Sequence, residues 1–360
     1  MKIFNYSLYS RLIIIMLVFI MFIFMSVGCS NETENITGPD NFNPDFVFVP
    51  EFTSLSALAS DLPNINNVIA TEHTLYFTSA NNLRKDQLFQ STSIFIINHD
   101  ENILTYLSDY SVAQPPSGAE GGSMLINAMH IDIDNNIWIV ETNSFVTFDF
   151  PSGFDTDNAD VSEIWEYQRP LDTSYFIKKL SNTGAELLSI NITSELSIIQ
   201  DRINSFSLYT DYADNIYIAA GQSVFIFNNK GSKQFTLNIA GFINQNSFIK
   251  LSNGRTALYS WNNNRTKWIL QEIDLQNKAW GETIILPDNT QNVFAGFDGY
   301  LFLMNDGMNL IAIDEKTNEE IIILRWIDSG VFPSGLSNVH FLSDDRIMFT
   351  TTVWNFDETG

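Results

Sequence analysis

From about residue 60 onward, apolar positions recur with a period of two instead of three to four, which places successive side chains on opposite faces of extended strands. One unit returns along the chain: an apolar stretch, a two-residue polar turn, then an apolar and aromatic strand. Its copies read ATEHTLYFTS from Ala70, DIDNNIWIVE from Asp132, DYADNIYIAA from Asp211, KLSNGRTALYS from Lys250, AGFDGYLFLM from Ala295 and FLSDDRIMFTT from Phe341. The turn pairs Asn135-Asn136, Asp214-Asn215, Asn253-Gly254, Asp298-Gly299 and Asp344-Asp345 are residues that tolerate a positive φ, as tight hairpins require; His73-Thr74 is the weakest member.

Counted at the second turn residue (74, 136, 215, 254, 299 and 345), the spacings are 62, 79, 39, 45 and 46 residues, so the last three approach a regular period and the first two hold insertions. Further strand pairs follow most of these hairpins, around the turns NHDE, SNTG, NNKG and DEKT. Four antiparallel strands per unit, at a period of about 40 to 50 residues, predict an all-β chain folded as a six-bladed β-propeller. Such rings commonly close by letting an N-terminal strand complete the last blade, and DFVFVPEF from Asp45 suits that role because it would cover an open sheet edge. After Asp344-Asp345 the chain supplies two strands before Gly360; with the N-terminal strand that makes three, so the last blade is expected to lack one and the coding sequence to continue.

The first 28 residues break the pattern. Lys2 and Arg11 precede LIIIMLVFIMFIFMSVG, uncharged from Leu12 to Gly28, which is the plan of an export signal. At 1.5 Å per residue the run is also about long enough to remain as an uncleaved anchor across a hydrocarbon core of ~30 Å. The run ends Ser26-Val27-Gly28-Cys29, with the only cysteine of the chain at its edge. Gly28 and Cys29 resemble the lipobox of bacterial lipoproteins, while Ser26 stands where leucine is usual. That resemblance implies cleavage before Cys29, lipidation of Cys29, and a mature chain held outside the cytoplasm at the cell membrane by more than one acyl chain. Residues 29–44, CSNETENITGPDNFNP, read as a flexible tether, leaving 45–360 for the propeller. Asn31 and Asn35 lie in N-x-[ST] sequons that the bacterial context makes chance matches. With one cysteine there is no intrachain disulfide, so packing alone must hold the fold.

Composition agrees with a folded domain: 45% of residues are hydrophobic and 17% charged. Net charge is -24; loss of Lys2 and Arg11 with residues 1–28 leaves 16 basic against 42 acidic side chains, or -26. That balance, with no basic patch, disfavours nucleic acid as a partner and reads first as a solvated acidic surface.

At the C-terminal end, WIDSGVFPSGLSNVHFLSDDRIMFTT resembles a segment of the propeller-like region of large extracellular solute-binding lipoproteins of clostridia and relatives. Trp326, Asp328, Ser329, Val339, Leu342, Asp344 and Arg346 carry the match. In that family the propeller lies between the lipobox and a binding-protein domain that serves an ABC importer. The resemblance therefore implies an accessory part in solute uptake and an ABC permease as partner.

Candidate chemistry is sparse. His73, His99, His130 and His340 show no metal-ligand spacing, and no nucleophile elbow, P-loop or dinucleotide fingerprint is present, so no catalytic residue is nominated. Asp155, Asp157, Asp160 and Glu163 fall within nine residues and form a weak Ca²⁺ candidate without the EF-hand glycine or final spacing; no other cofactor is expected. Trp165 and Tyr167 in the same insertion, and Trp261 and Trp268 around NNNRTK, either cap the sheet edges or stack on a sugar or peptide ligand. Two functions follow: a non-enzymatic binding or interaction module for a protein, peptide or sugar, or a propeller-fold lyase or hydrolase acting on an extracellular glycan. An enzyme would gather titratable groups with shifted pKa values at one mouth of the ring, whereas a binding module would present aromatics and amides there.

Overall fold

A computed structural model describes most of residues 62–324, together with the backbone of four further strands. Two of these come early, β1 (Met16–Met21) and β2 (Pro50–Ser54). The chain then forms β3 (Ile65–Ala70), β4 (Thr74–Ala80), β5 (Phe89–Asn98) and β6 (Ile103–Tyr106), paired antiparallel in sequence order. The strands β7 (Gly121–Ile131), β8 (Ile137–Phe148), β9 (Gln168–Leu180) and β10 (Glu186–Asn191) repeat the arrangement at greater length. Three more antiparallel sets follow. They are β11 (Phe206–Thr210) to β14 (Lys233–Asn238), with β12 (Ile216–Ala220) and β13 (Ser223–Phe227) between; β15 (Phe248–Lys250) to β18 (Ala279–Ile285), with β16 (Thr256–Trp261) and β17 (Trp268–Asp274); and β19 (Thr290–Phe297) to β22 (Glu320–Leu324), with β20 (Tyr300–Asn305) and β21 (Leu310–Asp314). A last sheet joins β23 (Pro333–Phe341) and β24 (Ile347–Val353) to the two early strands in the order β2-β1-β24-β23.

The inner hairpins form where the sequence turns polar, and their chemistry repeats. Asp132 accepts the backbone N–H of Asp134 and Asn136 on one carboxylate oxygen, and Asp211 does the same for Ala213 and Asn215. Six residues on, an aromatic donor returns to the same carboxylate: Trp138 Nε1 to Asp132 at 2.9 Å and the Tyr217 hydroxyl to Asp211 at 2.7 Å. Asx turns of this kind supply locally the bonds that a chain reversal would otherwise leave open. Asn135 (φ 61), Asp214 (φ 57), Gly254 (φ 80) and Gly299 (φ 84) take up the left-handed backbone in four of the expected turn pairs. Asp344-Asp345 and His73 lie outside the described residues.

The second strand of each set is buried on both faces, which is why IWIV, IYIAA and YLFLM are apolar almost without interruption. In β12, Ile216, Ile218 and Ala220 pack with Trp138, Val140 and Ile177 of the preceding set, while Tyr217 and Ala219 pack with Leu258 and Ile273 of the following one. Comparable clusters join the β3–β6 set to the β7–β10 set, and the β15–β18 set to the β19–β22 set. The first strands touch in succession, β3 to β7, β7 to β11, and so on through β15 and β19 to β23, and β23 returns to β3.

Two features differ from expectation. The first two sets are not separate sheets: β5 runs parallel to β7 over Phe89–Ser91 and Gly122–Met124, making one eight-stranded sheet. Gly121 permits this approach, since a Cβ there would lie 3.1 Å from Leu88 O, just before β5, and the neighbouring Gly122 N–H donates to the same oxygen at 3.0 Å. The last sheet, expected to hold three strands, has four; β2 contains Pro50–Phe52 of the expected closing strand, and the strand beside β24 is Met16–Met21 from the apolar N-terminal run. Residues 22–49, which include Cys29, the tether and the first part of the expected closing strand, lie outside the described residues.

Candidate functional site

The first strands share one direction. Tyr259 near the end of β16 reaches Gln291 near the start of β19, and Ser247 before β15 donates to the Ser207 hydroxyl near the start of β11. At the opposite ends, the His130 ring lies 4.9 Å from that of Tyr209, so late positions of β7 and β11 also meet. The starts of the first strands and the ends of the second strands therefore share one face of the molecule.

On that face a cleft of about 420 Å³ opens between β3, β4 and β5 on one side and β7 on the other, within the range of ligand sites. Asn66, Asn67, Thr78, Ala80, Gln90, Thr92, Leu125, Ile126 and Asn127 line it, and none of the nine is ionisable. A register shift in β3 between Asn66 and Ile69 sets Asn67 at φ 47, a conformation that asparagine tolerates better than most residues. Its Nδ2 donates to Thr78 Oγ1 at 3.2 Å and to Ile126 O at 2.9 Å, and the Thr78 hydroxyl donates to Asn66 O at 3.0 Å. Across the cleft, the Ile126 N–H donates to Thr92 Oγ1, and a second shift, between Ile126 and Ala128, leaves Asn127 free of the ladder to donate to Thr142 Oγ1. Gln90 Nε2 donates to Asn81 O at 3.0 Å.

The residues nominated from the sequence lie elsewhere. Trp165 and Tyr167 belong to an aromatic cluster at the end of the β8–β9 extension, where Phe148, Phe150 and Phe154 stack at 5.0–5.6 Å and Trp165 and Tyr167 meet them edge-on. The indole N–H of Trp165 is buried with no acceptor among the described residues. Trp261 and Trp268 are register partners across β16 and β17, with ring centroids 4.3 Å apart, and Tyr259 stacks on Trp268 at 4.4 Å.

Asp155, Asp157, Asp160 and Glu163 do not converge; among the described residues, no group of three or more His, Cys, Asp or Glu could hold a metal ion. Asp155 accepts from the Asp157 N–H and from Asn158 Nδ2, and Glu163 accepts the Asp160 N–H at the start of the short helix α1 (Val161–Trp165). The spacing of these acids thus serves a turn and a helix start.

Among the described residues, none of the titratable groups with shifted pKa values lines the cleft. Burial raises the Tyr110 phenol, reinforced by the adjacent Glu141 carboxylate that accepts its hydrogen bond at 2.7 Å. Glu141 is fully buried and pairs with Lys178 at 3.0 Å and Asn143 at 2.9 Å, which ties the segment after β6 to the middle of β8 and β9. Burial likewise raises Tyr209, Tyr217 and Tyr259.

No protein-family model and no curated protein sequence matches the chain. Among solved structures, a protein of unknown function from Bacteroides caccae superposes with a TM-score of 0.43 at 12% identity, over 71% of this chain and 78% of that one. YCF48 bound to D1 peptide gives 0.41 at 11% identity, over 83% and 96%. YCF48 from Cyanidioschyzon merolae gives 0.43 at 10%, over 85% and 83%. Identities this low and superpositions this loose assign neither a family nor an activity to this chain.

Proposed function

We propose that this chain is a six-bladed β-propeller, exported and anchored through a lipid on Cys29, that works as a non-enzymatic binding module outside the cytoplasm. The propeller reading is supported by the closed succession of first strands and by the apolar clusters that fill the space between neighbouring sets. The observation that carries the function is the cleft: about 420 Å³ lined by amides, hydroxyls and aliphatic groups, with no general acid, general base or nucleophile of shifted pKa among its nine residues. Such a lining can hold and orient an uncharged polar ligand without activating it.

The anchor rests on Gly28-Cys29 at the end of the apolar run, and a part in solute uptake beside an ABC permease rests on the resemblance over Trp326–Thr351. The test is to incubate the purified protein with mixed oligosaccharides, peptides and amines, measure thermal stabilisation, and recover the ligands. Stabilisation with chemically unchanged ligand is the expected result. New reducing ends or unsaturated sugar products would show an enzyme instead.

A further inference from the structure

The cleft is more selective than its polarity alone suggests, because its hydrogen-bonding groups are unequally spent. Asn67 uses both amide hydrogens inward, on Thr78 and Ile126. Gln90 and Asn127 each use one, and Thr78 uses its only hydroxyl hydrogen. Bonding to backbone carbonyls fixes which end of the Asn67 and Gln90 amides is nitrogen, since a flipped amide would set oxygen against oxygen. The carbonyl oxygens of Asn67, Gln90 and Asn127 accept nothing among the described residues, and none of them is sealed from solvent. What remains is three amide oxygens with two lone pairs each, against one spare N–H on Gln90, one on Asn127 and the Thr92 hydroxyl hydrogen.

A site with surplus acceptors and a few donors suits groups that mostly give hydrogen bonds but also take some. Hydroxyls do both. Carboxylates and phosphates only accept, and a net charge of -24 repels them. An ammonium only donates, leaves the spare N–H groups unmatched, and loses hydration with no carboxylate in the lining to balance it. We infer that the cleft between β3, β4, β5 and β7 is selective for a neutral, hydroxyl-rich ligand, a mono- or disaccharide without acidic or amino groups. This inference rests on the reading of the cleft as a binding site.

The experiment is calorimetric titration of the full-length protein with three probe sets: neutral mono- and disaccharides, the amines choline and spermidine, and the acidic sugars glucuronate and glucose phosphate. Neutral saccharides should bind with an affinity insensitive to salt, and Gln90→Leu and Asn127→Leu should each weaken them about tenfold while the thermal midpoint stays near that of the parent. Gln90→Glu, which keeps an acceptor and adds charge, should bring in the amines and leave neutral sugars bound. Salt-sensitive binding of amines or acids with neutral sugars silent would overturn the ligand class and spare the site. Silence in all three sets, or binding that Gln90→Leu and Asn127→Leu leave untouched, would overturn the site itself.

Discussion

At Asp132 a single carboxylate accepts two backbone N–H groups, the Asn136 side chain and the Trp138 indole, with Lys179 3.0 Å away. Burial works against its charge, but the bonds from Trp138, Asn136 and Lys179 together outweigh that and hold the carboxyl below its usual range. Removing it with Asp132→Ala should cost about 2–4 kcal/mol, because charge-assisted bonds are the strong ones and a buried indole N–H is left unpaired. A folded carboxyl that titrates below its unfolded value contributes fully above that value and loses its contribution as pH falls through the lower one. The urea midpoint of the wild type should therefore drop below about pH 4 more steeply than that of Asp132→Asn, with parallel curves above it; parallel curves throughout would remove the carboxylate from this role. Beside it, Asn135 at φ 61 separates backbone strain from side-chain bonding. Asn135→Val should destabilise by about 1–2 kcal/mol and Asn135→Gly by a few tenths at most, read from the same denaturation curves.

Among the elements, what was legible in the sequence was local and what was hidden was long-range. The hairpins are local: Asp132 to Asn136 and Asp211 to Asn215 contain within five residues every group their turns need, so their positions follow from the sequence. The β5–β7 junction depends on Gly121, which sits against the Leu88 backbone oxygen, and nothing near Gly121 in the chain announces that partner. The cleft was missed for the same reason: Asn67, Gln90 and Asn127 lie on three different strands, two of them at register shifts, and a strand asparagine alone carries no signal. Trp165 and Tyr167 stand beside acids and Trp261 and Trp268 flank a polar loop, but the first two pack into their own insertion and the second two into each other. Gly121→Ala tests the junction, since the added methyl meets the backbone oxygen of Leu88, just before β5, at 3.1 Å and the Phe148 ring at 3.0 Å. A loss of about 1–2 kcal/mol is expected from overpacking. Because β7 supplies Leu125, Ile126 and Asn127, ligand stabilisation should fall with it; unchanged stability would mean that the junction is not tightly packed.

For the whole molecule, the proposed export would set cleavage of the leader against closure of the last sheet. Met16–Met21 pairs with β24 along six residues and with β2 along five, so it fills an interior position of the sheet whose first strand, β23, closes on β3. Cleavage before Cys29 would remove that strand and leave the β24 edge open, and an open edge is a site for unwanted pairing. Export with processing predicts that the cell-borne protein begins at residue 29 and carries radiolabelled fatty acid. It also predicts that Cys29→Ser loses the label and keeps its leader; an unlabelled wild-type chain that still begins at Met1 would sink this. Hydrogen exchange then reports what the ring gives up. In a chain of residues 29–360 the β24 amides that face β1 should exchange faster than in the full chain, while those of β12 and β20, buried within their sheets, should not change. Equal protection of β24 in both chains would mean that the ring holds its last sheet without the leader.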